Sequence, residues 1–221
     1  MNASNKTRKL TLMAMFAALA YIVMLVGRFP ISSVDFLKYD PKDLILAICG
    51  FILGPLPALA VTVVVSFIEM LSVSSTGFIG FFMNVLSSAA FVCPAAAIYK
   101  KRHTLRGAAA GLVTGVALMT ALMLLWNYFI TPLYMGYPRE AVAAMLLPVF
   151  LPFNLIKSAL NAALTMLVYK PVSRALKRIG LVEDAAQTAA PQGGGRLGAM
   201  LIAALVLVSC IVAVLVMRGV I

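Results

Sequence analysis

The chain has 221 residues, of which 63% are hydrophobic and 11% charged, with a formal net charge of +11. That composition excludes a folded globule that stays soluble in water. A single histidine and three scattered cysteines give no zinc spacing and no His-based catalysis, and no GxxxxGK[ST] or HExxH motif occurs.

Seven apolar runs follow one another, near 9–27, 43–56, 57–74, 78–99, 107–130, 146–169 and 197–217. Most approach the ~20 residues that cross a hydrocarbon core as a helix. Lipid offers no partner to backbone N–H and C=O groups, and the alternation of a barrel strand is absent, so the runs are predicted to be helices. The second and third are short and meet at Gly54-Pro55-Leu56-Pro57, which predicts a tight turn. The fold class expected is an all-α integral membrane protein: a six-helix bundle over 1–180, a flexible polar linker over 181–196, and one additional C-terminal transmembrane helix within 197–221. The linker expectation rests on Glu183 to Gly195, EDAAQTAAPQGGG. Span one is long and lacks a small-residue cleavage site, so no cleavable signal peptide is expected.

The cations set the topology. Lys6, Arg8 and Lys9 precede span one; Lys100, Lys101, Arg102 and Arg106 follow span four; Lys170, Arg174, Lys177 and Arg178 follow span six. With Arg196, these make 12 of the 18 basic residues on one side, against Arg28, Lys38, Lys42, Arg139 and Arg218 on the other. The positive-inside rule places the N-terminus in the cytoplasm of a multi-pass protein of the cell membrane. The charge is accounted for by loops at the inner leaflet of the lipid bilayer, and no nucleic-acid partner is needed.

Lys157 is the eighteenth basic residue, and it lies inside span six. A lysine near the bilayer centre costs roughly 2.5–3.5 kcal/mol on insertion scales, so it marks a task or a partner. Asn154, Lys157, Ser158 and Asn161 fall at i, i+3, i+4 and i+7, on one helical face. The same topology brings Ser66 and Glu69 of span three, Asn84, Ser87 and Ser88 of span four, and Asn127 and Thr131 of span five to the same outer depth. This coincidence predicts a pocket open to the outside. The alternatives are serine and asparagine bonding between helices as structural glue, Lys157 reaching the outer interface, or a purely structural Glu69–Lys157 pair.

The loop of about 15 residues between spans one and two contains Leu37, Lys38, Tyr39 and Asp40. Its length suits a lid, and an ordinary connector is the other reading. Asn127 to Met135, NYFITPLYM, is either an aromatic belt or a set of rings that stacks a flat ligand. Ala14 and Ala18 flatten one face of span one, although alanine is common in spans.

Three motifs in order, FLKYDP (Phe36 to Pro41), NYFITPLYM and PFNLIK (Pro152 to Lys157), resemble the riboflavin-specific RibU family. These are substrate-binding (S) components of energy-coupling factor (ECF) vitamin transporters. The resemblance covers roughly residues 8–180. It implies high-affinity capture of riboflavin without catalysis and without a cofactor, riboflavin being the transported ligand. Asn127, Asn154 and Lys157 would bond its polar groups, and the loop would close over it. Glu69, Asn84 and Thr131 join the candidate set from their depth alone. By the same resemblance Ala14 and Ala18 would face the coupling transmembrane subunit of an energising module that also supplies two ATPases. The rival readings are a transporter for another vitamin, flavin or nucleoside, and an integral-membrane enzyme using Glu69 or Lys157. The family normally stops after span six, so the C-terminal span departs from it.

Overall fold

Apolar side chains cover much of the outside of this molecule. Val26, Leu56, Phe78, Leu133 and Leu147 each expose more than 70% of their surface, a pattern that suits lipid rather than water. The computed structural model describes residues 3–31, 37–178 and 195–217. Phe36, most of the expected linker and Arg218 lie outside the described residues. The helices are α1 (Ala3–Gly27), α2 (Lys42–Leu53), α3 (Pro55–Ser72), α4 (Gly77–Arg102), α5 (Leu105–Met135), α6 (Arg139–Met145), α7 (Leu151–Arg178) and α8 (Gly195–Met217). Six helical stretches among the described residues are long and apolar enough to cross a membrane.

Helix α2 differs from the full-length run expected. Its 12 residues rise only about 18 Å at ~1.5 Å per residue, against a hydrocarbon core of ~30 Å. It still traverses the bundle because it starts deep inside: Asp40, Lys42 and Asp43 are all buried. At its other end, Gly54 lies beside the aliphatic stem of Lys100, in the basic last turn of α4. The expected turn consists of Gly54 alone, with φ +94°, followed by Pro55 at the first position of α3. Only glycine takes that φ at little cost, and proline suits a position whose N–H has no helical partner.

The sixth apolar run also begins earlier than expected. Helix α6 leads through a π turn, Leu146–Phe150, into α7. Pro148 within that turn has no N–H to donate, and Pro152 follows at the start of α7. The loop after α1 is folded back on itself: Phe29–Pro30 pairs antiparallel with Lys38–Tyr39. Helix α8 begins at Gly195, two residues before the expected boundary, and packs along α7.

The most extensive helix pair is α4 with α5, and its closeness is set by glycine. A Cβ at Gly111 would lie 2.7 Å from the Ala95 carbonyl oxygen, and one at Gly115 would lie 2.4 Å from that of Phe91. These residues form the G-x-x-x-G spacing that lets two helix backbones touch in lipid. Gly115→Ala is therefore expected to lower stability by about 1–3 kcal/mol through overpacking. Thermal unfolding in detergent checks this, and a midpoint equal to that of the parent would contradict the close approach.

Candidate functional site

A cleft opens at the end of the bundle that carries the 28–41 loop. It is open at its mouth, and only a small part of it is enclosed. Asn84 and Ser87 enter from α4, Asn127 from α5, and Asn154 and Lys157 from α7. Met83, Met123 and Phe153 supply apolar wall, and Leu37, Lys38 and Asp40 of the loop form another side. Arg28 and the Ser74–Thr76 turn complete the lining.

The asparagines are half-satisfied by their own helices. Asn127 donates one amide hydrogen to the Met123 carbonyl at 2.7 Å, and its oxygen accepts from Thr131 at 2.8 Å. Asn154 donates one to the Phe150 carbonyl at 2.8 Å. A carboxamide has two donors and two acceptor lone pairs, so each side chain is oriented while keeping bonding capacity for a ligand. Ser158 bonds the Asn154 carbonyl of its own helix at 2.7 Å, so its hydroxyl is taken up within α7 rather than bridging to a neighbouring helix.

Of the expected ligand contacts, Leu37, Lys38, Asp40, Asn84, Asn127, Asn154 and Lys157 meet at this cleft. Tyr39, Glu69 and Thr131 stand behind its wall. Thr131 orients Asn127. Tyr39 is buried and packs against Phe29, with ring centroids 5.0 Å apart. Burial pushes its phenol pKa up, with Asp40, Asp43 and the nearby Cys210 adding to the effect. Of the aromatic stretch, Phe129 is exposed and Tyr128 lies under Arg139, 5.7 Å from the guanidinium carbon. Both belong to the surface, and Phe153 is the ring that reaches the cleft.

Glu69 belongs to a buried charge cluster beneath the loop. It is fully buried and accepts from both Arg28 and Lys42. Lys42, read from sequence as a loop cation, is itself fully buried and lies 4.0 Å from Asp40. Asp40 in turn lies 3.6 Å from the Lys157 ammonium. Asp43 accepts from Ser88 of α4. Arg28, Lys42 and Lys157 thus pair with Asp40 and Glu69, and in place of the alternative of a Glu69–Lys157 pair the structure has Asp40–Lys157 and Lys42–Glu69. Asn161 ties the same loop down by donating to the Asp40 carbonyl at 3.3 Å.

Burial pushes the Asp40 carboxyl pKa up, but Lys157, Lys42 and Arg28 outweigh it and hold the group below its ordinary value. Its contribution to stability is therefore complete above the unfolded carboxylate value of about 3.9 and is lost as pH falls through the lower folded value. Arg28, Lys42, Met83, Met123 and Phe153 were not selected from sequence. The charge-dense YDPKD (Tyr39 to Asp43) directly before an apolar run was the one available signal for Lys42.

The family model for the ECF transporter, substrate-specific component, matches residues 8–169. The chain belongs to the ECF substrate-specific components. Members of this family are transporter subunits rather than enzymes, and this chain is a multi-pass membrane protein. It is similar to the riboflavin transporter FmnP of Bacillus subtilis (strain 168), at 29% identity over 74% of this chain and 91% of that protein. It is also similar to the riboflavin transporter RibU of Staphylococcus aureus (strain TCH60), at 28% identity over 79% and 95% respectively. A solved S component of a bacterial ECF transporter superposes with TM-score 0.67 at 27% identity, covering 78% of this chain and 99% of that one.

Two substitutions on α3 test the buried charge cluster. Glu69→Gln leaves Lys42 and Arg28 facing a neutral amide and is expected to cost about 3–5 kcal/mol of stability. Ser66→Ala removes a buried hydroxyl without a hydrogen-bond partner and is expected to be neutral or mildly stabilising. Unfolding midpoints measured side by side test both, and equal midpoints for the two variants would contradict the assignment.

Proposed function

We propose that this chain is the riboflavin-binding S component of an ECF transporter in the cell membrane, capturing the vitamin from outside. The observation that carries this reading is the convergence of Asn84, Asn127, Asn154 and Lys157 from three helices on one cleft, in a chain of this family. The charge balance points the same way. Asp40 pairs with Lys157 and Glu69 with Arg28, so these two cations of the lining already have carboxylate partners and a neutral, hydrogen-bonding ligand such as riboflavin is suited. The carboxamides donate to ring carbonyls and accept from ribityl hydroxyls. Met83, Met123 and Phe153 offer soft apolar surface to a flat ring. Lys157 donates to an oxygen while its charge stays paired with Asp40.

In this reading the N-terminus is cytoplasmic and the 28–41 loop covers the outer face. An energising module, made of a coupling transmembrane subunit and two ATPases, supplies the ATP turnover for which this chain has no motif. Ala14 and Ala18 are exposed on α1, aligned with the exposed Leu10, Ile22 and Val26 on one face. A smooth stripe of this kind lets a second membrane helix approach closely.

Purified protein is expected to carry or take up riboflavin, seen as flavin absorbance and quenched fluorescence. A stable preparation that binds none after stripping and refilling would overturn the ligand. Asn154→Ala and Lys157→Ala are each expected to weaken binding about tenfold or more, and Ser158→Ala to leave it nearly unchanged. Equal losses in all three would remove the assigned roles. Ala18→Trp is expected to keep riboflavin binding and lose co-purification with the energising module; intact co-purification would move the interface elsewhere.

A further inference from the structure

Helix α8 lies beyond the residues that the family model matches. The family match ends at residue 169, and 78% of this chain already covers 99% of the solved S component. Yet α8 is not a detached tail. Ala203, Cys210 and Val214, at i, i+7 and i+11, form a single buried stripe along it. Leu201, Ile202, Leu205, Val208, Ile211 and Val212 remain open on its other faces. The stripe meets α7 and the loop together: Cys210 and Val214 belong to one buried apolar cluster with Ile31, Leu37, Tyr39, Phe153 and Ile156. Two members of that cluster, Leu37 and Phe153, also line the cleft.

We infer that α8 is a built-in prop for the substrate loop, with Cys210 and Val214 as positioning residues that hold Leu37 and Tyr39 against the cleft from behind. The effect on ligand rests on the riboflavin reading above; the effect on the loop does not. The loop is fixed on its inner side by Asp40 pairing with Lys157 and Lys42, and by Asn161 bonding the Asp40 carbonyl. Its apolar side, Ile31, Leu37 and Tyr39, packs into the cluster that α8 completes. Thinning the α8 stripe opens space behind the loop without touching any polar group that faces the ligand. The consequence is a looser lid and faster exchange of ligand at an unchanged set of hydrogen bonds.

The test uses the full-length protein in lipid nanodiscs, with Cys210→Ala/Val214→Ala as the loosening variant, Val214→Ile as the conservative one, and Ile211→Ala on the open face of α8 as the control. Hydrogen exchange at the backbone amides of 37–40 is measured without ligand, with His103 and Thr104 at the other end as reference. The double variant is expected to raise exchange at 37–40 about tenfold and leave the reference unchanged, while Val214→Ile and Ile211→Ala resemble the parent. Riboflavin release, followed by recovery of flavin fluorescence, is expected to accelerate by a similar factor in the double variant only. Parent-like exchange at 37–40 in the double variant overturns the prop, whatever the ligand. A uniform rise at both ends also overturns it, since that is general loosening. If the parent protein binds no riboflavin, the ligand reading fails and the exchange result alone decides the role of α8.

Discussion

The structure depends on neutralising charge inside an apolar bundle. Arg28, Lys42 and Lys157 on one side and Asp40, Asp43 and Glu69 on the other are gathered beneath one loop. Any of them left alone in that setting would cost several kcal/mol, so each one fixes the position of its partner. The consequences run outward. Glu69 locks α3 to the start of α2 and to the residue that follows α1. Asp40 draws the loop down onto α7, and Asp43 binds α2 to α4 through Ser88. The cleft exists where these locks leave a gap among α4, α5 and α7.

That arrangement divides the polar residues into two kinds. Lys42, Asp43 and Glu69 lie behind the wall and are withdrawn from ligand, whereas Arg28, Asp40 and Lys157 belong to the cluster and to the cleft lining alike. Those in the cleft are anchored by one bond to their own helix and keep a second group free, as Asn127 and Asn154 do. A site built this way is preorganised, and the ammonium that enters it from α7 is already paired with Asp40. The same pairing couples ligand contact to loop position, since Asp40 belongs to the loop and Lys157 to the wall.

Much of this was legible in the sequence, for a physical reason: a bilayer demands apolar runs of fixed length and makes every polar residue within them conspicuous. The helices, the turn at Gly54, and the convergence of Asn84, Asn127, Asn154 and Lys157 follow from run length and topology alone. What was not legible depends on contacts between helices. Lys42 looked like a loop cation because nothing local shows that Glu69, 27 residues away, waits for it. Thr131 looked like a ligand contact, and in the structure its hydroxyl bonds Asn127, one turn earlier on the same helix. The shortness of α2 follows from the depth at which Asp40 to Asp43 are buried, and the seat of α8 follows from a stripe of three small or medium side chains that period alone does not distinguish from lipid-facing ones.

The central claim is that Asp40 and Lys157 act as one unit joining loop and wall. A double-mutant cycle on riboflavin affinity, combining Asp40→Asn with Lys157→Met, tests it most directly. Each single change leaves a lone charge behind, whereas the pair of changes removes both. The account predicts a loss in the double variant smaller than the sum of the single losses by about 1 kcal/mol or more. Simple additivity of the two losses would contradict it.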